Sequence, residues 1–194
     1  MGKTNLAQVL LLMKGGLAQQ CDLVILFGNS GSIIQYDWLV GPGLPHRIYG
    51  DIREEVIEEL FSMNAERLKQ KKPPVRVLLI FDDSLSRKTV HSDIINRIFI
   101  HGRIFHLCPL IIQQSISQVH TDWRRNCDIF FLFKPRTLND KQWVFENLLS
   151  EVETKQEAFR MLNAIPKHTA LCVDFTGGET TQFLYRAPKF VLQK

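Results

Sequence analysis

Residues 75–83 read VRVLLIFDD, an almost unbroken apolar run that ends in two aspartates. Apolar runs of this length without polar alternation are typical of strands buried on both faces, as in a parallel sheet. Four more runs of the same kind occur, at residues 22–27, 107–112, 129–133 and 169–173. Helix-like stretches lie between the runs, at residues 6–17, 51–68, 86–105, 139–149 and 153–162. This alternation predicts an α/β fold with a mostly parallel sheet and helices on both faces.

Asp82 and Asp83 stand at the end of the run at residues 75–83. Ligands of open parallel sheets bind beyond the carboxyl ends of the strands, so residues at this position are candidates for function. A strand that ends in two carboxylates is the Walker B pattern, in which the first carboxylate holds Mg²⁺ and the second orients or deprotonates the attacking water. The alternative is a solvated turn, because Asp-Asp-Ser is also turn chemistry.

The sequence begins MGKTNLAQVLLL, in which Gly2-Lys3-Thr4 precede a helix-like run. This tripeptide matches the end of the phosphate-binding loop G-x-x-x-x-G-K-[ST]. By itself the match could be a chance tripeptide. The acidic pair at Asp82 and Asp83 favours a nucleotide site.

Further polar residues flank the later runs. Gln113 and Gln114 follow residues 107–112, and a glutamine at a strand end can hydrogen-bond a γ-phosphate or its water. Arg103 precedes the same run, and Arg124 and Arg125 precede residues 129–133. The planar guanidinium of arginine matches phosphate oxygens. Each residue also has an ordinary interpretation, as a polar loop, a surface pair or a charge at a helix C-terminus.

Composition limits the protein class only broadly. The chain has 194 residues, 45% of them hydrophobic, and a net charge of +4, which is compatible with a polyanionic partner without arguing for one. Two basic clusters stand out, at residues 67–76 and 124–136. The four cysteines lack metal-ligand spacing, which predicts a reduced, intracellular protein. No apolar run is long enough for a membrane span, so we expect a soluble protein.

The order of G-K-T, LLIFDD, GRIFHLCPLIIQQS and WRRNCDIFFLF resembles the genome-packaging ATPases of large DNA viruses, the poxvirus-type branch of the HerA/FtsK superfamily of P-loop NTPases. The segment CDLVILFGNSGS is also similar to the second strand of that family and its polar end. The resemblance covers about residues 2–135. It implies one P-loop ATPase domain over residues 1–194, with its core at about 1–135 and C-terminal helices and final strands at 136–194.

The resemblance also implies ATP and Mg²⁺ as cofactors and assigns roles to particular residues. The residues expected to bind the nucleotide are Gly2, Lys3, Thr4 and Asn5, with Lys3 at the β- and γ-phosphates. Thr4 and Asp82 would hold Mg²⁺. The residues expected to act in catalysis are Asp83, which would activate water, Gln114, which would sense the γ-phosphate, and Arg124, Arg103 or Arg125, which would supply positive charge across a subunit interface.

By the same resemblance the protein would be a motor that pumps double-stranded DNA into a capsid. Its subunits would form a homo-oligomeric ring, contact the DNA backbone without regard to sequence, and work with viral capsid or membrane-associated packaging proteins. The location implied is a viral factory in the host cytoplasm, or the virion. Other interpretations are another HerA/FtsK-like DNA translocase or helicase, a catalytically inactive accessory subunit and, less favoured, a nucleotide kinase.

The sequence departs from the family pattern ahead of Gly2. The glycine-rich part of a P-loop presents backbone N–H groups to the phosphates, and only its last residues are present here. The first strand, which normally anchors that loop, is absent too, and a sheet without a central strand leaves open edges. We therefore expect either an N-terminally truncated version of a longer product or a decayed homologue. In both cases a chain with this sequence should hydrolyse ATP poorly.

Overall fold

The computed structural model describes residues 3–28, 36, 45–84, 89, 92–116, 119–149 and 151–188. Gly2, the polar end of the second family segment at 29–32 and part of the helix expected at 86–105 lie outside these residues. In chain order the elements are α1 (Lys3–Leu12), β1 (Leu23–Gly28), β2 (His46–Tyr49), α2 (Glu54–Lys69), β3 (Val77–Asp82), α3 (Asp93–His101), β4 (Leu107–Ile112), α4 (Thr121–Arg125), β5 (Ile129–Phe133), α5 (Leu138–Leu148), α6 (Lys155–Ala164), β6 (Ala170–Asp174) and β7 (Thr181–Tyr185), with a 3-10 turn at Leu17–Gln20.

The first sheet is parallel, with the strand order β2-β1-β3-β4. β3, the run that ends in Asp82, lies inside this sheet, and all six of its residues are buried. In the register, Asp82 pairs with Gly28 of β1 and with Ile112 of β4. The carboxyl ends of three strands therefore meet at one edge of the sheet. The expected α/β fold with a mostly parallel sheet is confirmed.

Helices cover both faces of the parallel sheet because successive side chains of a buried strand point to opposite sides. Val77, Leu79 and Phe81 of β3 belong to a core cluster that also contains residues of α2, α3 and α4. Leu78 and Ile80 belong to a second cluster on the other face, with residues of α1 and the 3-10 turn. The two clusters explain why β3 has no polar alternation before its end.

The second sheet is antiparallel, with the order β5-β6-β7. The apolar runs that form β5 and β6 were expected in the parallel sheet, and they pair antiparallel with each other instead. Two helices, α5 and α6, connect these strands, and each helix reverses the direction of the chain. After two helices the chain enters β6 in the direction opposite to β5, so the two strands pair antiparallel. β6 and β7 form a hairpin around residues 175–180, as the Thr-Gly-Gly sequence suggests.

Helix starts follow capping chemistry more closely than apolar spacing. Thr137 caps α5 through its hydroxyl, which accepts from the Asp140 backbone N–H, and Thr154 caps α6 in the same way from Glu157. The residue that caps α2 is Arg53, and its side chain makes no capping hydrogen bond. β2 was not expected, since HRIY is a short strand with only two apolar residues.

Among the described residues, β2 and β4 are the edge strands of the first sheet, and β5 and β7 are the edge strands of the second. Each therefore has one backbone edge without a strand partner in that part of the chain. Cys108 of β4 and Ile129 of β5 are both exposed.

Candidate active site

The carboxyl ends of β3 and β4 bring the predicted acidic pair and the predicted glutamine together. The Gln114 side-chain amide donates to Oδ2 of Asp83 at 3.0 Å. The Asp83 backbone N–H donates to the Ile112 carbonyl at 3.0 Å, which extends the pairing of the two strands by one residue. Asp83 was expected to activate water and Gln114 to sense the γ-phosphate, and the two side chains are in direct contact.

The backbone of Asp83 turns sharply out of the strand, with φ at +46°. This left-handed region is uncommon for residues other than glycine, although aspartate tolerates it better than most. Residues held in such conformations concentrate at functional sites, where the surrounding structure determines them. Hydrogen bonds from both the backbone and the side-chain partner fix Asp83 in this conformation.

Lys3 reaches the same edge of the sheet from the start of α1. Its Nζ donates to the backbone carbonyl of Gln113 at 3.1 Å, a contact between residues 110 positions apart in sequence. Thr4 and Asn5 follow in the first turn of this ten-residue helix, which carries no acidic residue there. The Asn5 side-chain amide donates to the Pro188 carbonyl at 2.9 Å. A helix N-terminus with a lysine presents positive charge to an anion.

Asp82 is buried, with 8% of its surface exposed, and the hydroxyl of Tyr36 donates a hydrogen bond to it. Burial raises the pKa of Asp82, as does the neighbouring Asp83, whereas the Tyr36 hydrogen bond and the Lys3 charge lower it. Burial, followed by the Asp82 charge, raises the pKa of Tyr36. Sequence reasoning missed Tyr36, because a single tyrosine in a stretch without periodicity gives no signal.

The residues at this edge fit a magnesium-bound nucleotide. No group of three or more His, Cys, Asp or Glu residues that could enclose a metal occurs in the described ranges. Mg²⁺ is commonly held by one or two carboxylates together with substrate phosphates, which is what Asp82 and Asp83 can offer. Two buried polar atoms beside the strand ends, Oγ of Ser84 and Nε2 of Gln113, have no hydrogen-bond partner among the described residues. Phosphate oxygens or their waters would satisfy both donors.

Arg124 lies near the site but is engaged within its own chain. Its guanidinium stacks over the Trp143 ring at 4.4 Å and donates to the Ile116 carbonyl at 3.4 Å and to Oγ1 of Thr121 at 2.9 Å. Burial lowers the pKa of Arg124, as does the charge of Arg125. These contacts anchor the segment that follows Gln114.

Arg103 lies at the opposite edge of the sheet, where it forms an ion pair with Asp128. It precedes β4, and the six-residue strand separates the two edges by roughly 17 Å. Its side chain is 76% exposed. Arg103 and the acidic pair are therefore not brought together within one chain. Arg125 is exposed as well.

A buried carboxylate next to the site was not predicted. Asp140, 6% exposed, accepts hydrogen bonds from Oγ of Ser115 at 2.5 Å and from Oγ1 of Thr137 at 2.7 Å. Ser115 directly follows Gln114, so the bond ties the site to the start of α5. In the sequence, the T-x-x-D pattern of a capping box at 137–140 could have pointed to Asp140.

Comparison with solved structures identifies the fold. The genome packaging NTPase B204 from Sulfolobus turreted icosahedral virus 2, in complex with ATPγS, matches with a TM-score of 0.60 at 13% identity, over 96% of this chain and 93% of that chain. The DNA-packaging ATPase B204 from Sulfolobus turreted icosahedral virus matches with a TM-score of 0.57 at 13% identity, over 93% of this chain and 91% of that chain. The chain has the fold of these viral genome-packaging NTPases.

The AMPPCP complex of B204 from Sulfolobus turreted icosahedral virus 2 also matches, with a TM-score of 0.57 at 14% identity, over 85% of this chain and 83% of that chain. No protein-family model and no curated protein matches the sequence. The likeness is therefore one of fold, and the chemistry rests on this chain's own residues. Within the described ranges, no helix is long and apolar enough to cross a bilayer.

Proposed function

We propose that the chain is an ATP-driven motor subunit that packages double-stranded DNA into a viral capsid. One observation carries the proposal: Lys3, Asp82, Asp83 and Gln114 converge at the carboxyl edge of a parallel sheet in a fold shared with genome-packaging NTPases. The order of the motifs further favours the poxvirus-type branch of the HerA/FtsK superfamily.

Each residue at the edge has a role in this proposal. Lys3 binds the β- and γ-phosphates, and Thr4 and Asn5, which follow it in the first turn of α1, and Gly2 before it belong to the same nucleotide-binding segment. Thr4 and Asp82 hold Mg²⁺, which neutralises charge that develops on the phosphates. Asp83 accepts a proton from the attacking water. Gln114 holds Asp83 in place and detects the γ-phosphate, since its amide already bonds that carboxylate.

Positive charge from a neighbouring subunit completes the site in a ring. Arg124 is occupied by Trp143, Ile116 and Thr121, so we assign it the role of anchoring the segment after Gln114. The exposed Arg125 and Arg103 are better placed to reach a neighbour. Arginine is suited to this task because its planar fork matches phosphate oxygens.

The DNA contact is proposed at the opposite edge of the sheet. α2 ends in a Schellman motif, in which the Lys71 N–H bonds the Leu68 carbonyl at 3.0 Å and the Lys72 N–H bonds the Arg67 carbonyl at 2.9 Å. Lys71 takes the left-handed conformation that the motif requires, with φ at +56°. The motif holds three exposed lysines on a fixed turn, Lys69, Lys71 and Lys72. Such a turn suits sequence-independent contact with backbone phosphates.

The remaining partners follow from the motor function. Subunits would assemble into a homo-oligomeric ring on a capsid, or with membrane-associated packaging proteins, in the infected cell or the virion. Complementation of a packaging-deficient virus tests this level of the proposal. An Asp83→Asn variant should fail to package DNA although it assembles, whereas an accessory subunit that does not turn over ATP would tolerate the change.

Nucleotide binding is tested by titrating ATPγS into the purified chain with and without Mg²⁺. We expect Mg²⁺-dependent binding that Asp82→Asn weakens at least tenfold, because a carboxylate ligand of the metal is removed. Glu59→Gln, which removes one exposed acidic charge from α2, is the matched control and should bind as the wild type does. Equal binding by both variants would contradict the proposed site.

A further inference from the structure

We propose that Tyr36 is a positioning residue for Asp82, and that its hydroxyl holds the carboxylate in the orientation in which it binds Mg²⁺. The inference rests on the proposed function, because it concerns the same metal-nucleotide site. It assigns a role to a residue that no motif contains. Three observations carry it: the burial of Tyr36, its hydrogen bond to Asp82 and its place in a core cluster shared with α1.

Tyr36 is held rigidly by its surroundings. Its side chain is 1% exposed and is among the largest that are fully buried. It belongs to the core cluster that contains Ala7 and Leu11 of α1 and Ile80 of β3. A tyrosine ring packed against a helix and a strand has little freedom to move its hydroxyl. The oxygen is therefore a fixed point beside the carboxyl end of β3.

The hydrogen bond from Tyr36 leaves Asp82 able to bind a cation. A carboxylate has two oxygens and about four acceptor positions, of which the tyrosine hydroxyl uses one. The bond restricts rotation of the carboxylate, so the remaining positions face a constant direction. Hydrogen-bond partners of metal ligands act in this way, and their loss typically lowers metal affinity by about 10- to 100-fold.

Tyr36 also connects the two halves of the proposed site. α1 begins at Lys3, whose ammonium lies at the phosphate end, and its residues Ala7 and Leu11 share a core cluster with Tyr36. Asp82 lies at the metal end. One buried ring thus packs against the helix that carries the phosphate-binding lysine while its hydroxyl bonds the metal-binding carboxylate.

A purely structural role is the alternative. A buried tyrosine hydroxyl needs a partner, and Asp82 could serve only to satisfy it. In that case Tyr36→Phe would lower stability and leave metal binding unchanged. The two roles are separated by measuring metal affinity and stability independently.

The first experiment measures Mn²⁺ binding by electron paramagnetic resonance in the presence of ATPγS. We expect Tyr36→Phe to bind Mn²⁺ about tenfold more weakly than the wild type. Its thermal unfolding midpoint, recorded without metal, reports stability separately. Tyr49→Phe and Tyr185→Phe remove the other two tyrosine hydroxyls of the chain and should leave Mn²⁺ affinity unchanged.

The second experiment needs no variant at position 36. The three tyrosines are labelled with 3-fluorotyrosine and followed by ¹⁹F NMR as Mg²⁺ is added to the ATPγS complex. Resonances are assigned by elimination with Tyr49→Phe and Tyr185→Phe. We expect the Tyr36 resonance to shift most, because its hydroxyl bonds the metal ligand. An unmoved Tyr36 resonance at saturating Mg²⁺ would overturn the inference.

The outcomes separate a failure of the proposed function from a failure of the role assigned to Tyr36. If the wild type binds no Mn²⁺ in the presence of ATPγS, both the proposed function and the role of Tyr36 are wrong. If the wild type binds Mn²⁺ and Tyr36→Phe binds it equally well, only the role of Tyr36 is wrong. Weaker binding in Tyr36→Phe together with unchanged Tyr49→Phe and Tyr185→Phe supports both.

Discussion

The side-chain amide of Gln114 donates to Oδ2 of Asp83 at 3.0 Å, across the ends of two adjacent strands. Both residues lie just beyond their strands, and the parallel register of β3 and β4 brings them together. A γ-phosphate that engages Gln114 would therefore change the hydrogen bonding of the carboxylate proposed to activate water. Sensing and catalysis would be linked by one hydrogen bond.

Removing that amide should impair hydrolysis more than binding. We expect Gln114→Leu, which keeps the approximate shape, to slow single-turnover hydrolysis at least tenfold while ATPγS affinity changes less than about threefold. Gln142→Leu is the control, since it removes a glutamine amide from α5 outside the site. Parallel losses of binding and hydrolysis would indicate that Gln114 contributes to ground-state binding only.

The three exposed lysines at the end of α2 should set the salt dependence of DNA binding. Replacing Lys69, Lys71 and Lys72 with glutamine should weaken binding to blunt duplex DNA uniformly across sequences. The slope of log affinity against log salt should fall by about 1 for each DNA phosphate that a lysine no longer neutralises. A control set with Lys14, Lys155 and Lys167 replaced by glutamine changes the net charge equally, at exposed positions elsewhere. Equal slopes for the two sets would mean that only net charge matters.

Asn64 should be a major determinant of stability. It is fully buried, and its side chain accepts from the Val75 N–H at 2.8 Å and donates to the Val75 and Phe105 carbonyls at 2.9 and 2.7 Å. Asn64→Leu leaves three partly buried backbone groups without their side-chain partner, which should cost about 2–4 kcal/mol of unfolding free energy. Chemical denaturation measures the loss. An unchanged unfolding free energy would mean that water replaces the amide.

Acid should weaken the exposed pair between Asp22 and Arg76. Hydrogen bonds from the Arg76 side chain and backbone lower the pKa of Asp22 from an ordinary 3.8 to about 2. The pair therefore stabilises the fold above about pH 4, and this contribution is lost as the pH falls from about 4 to 2. Asp22→Asn should be less stable than the wild type at neutral pH, and the difference should shrink over that window and at high salt. A pH-independent difference would contradict this.

The sequence predicted the parts of the molecule that depend on local pattern. Unbroken apolar runs identified β3 and β4, and the rule for strand ends then selected Asp82, Asp83 and Gln114 as candidates. The antiparallel pairing of β5 and β6 was not predicted, because strand direction depends on how many helices intervene. Tyr36 was missed because its role depends on a hydrogen bond between distant residues and not on any sequence pattern.

The most direct test of the account is to map which lysine lies beside the phosphates of a bound nucleotide. An acyl-phosphate derivative of ATP transfers its acyl group to a nearby lysine, which mass spectrometry then identifies. The account predicts that Lys3 is acylated, that the reaction requires Mg²⁺, and that excess ATPγS prevents it. Labelling confined to Lys69, Lys71 or Lys72, or labelling of Lys3 that ATPγS does not prevent, would contradict a nucleotide site at the carboxyl edge of the sheet.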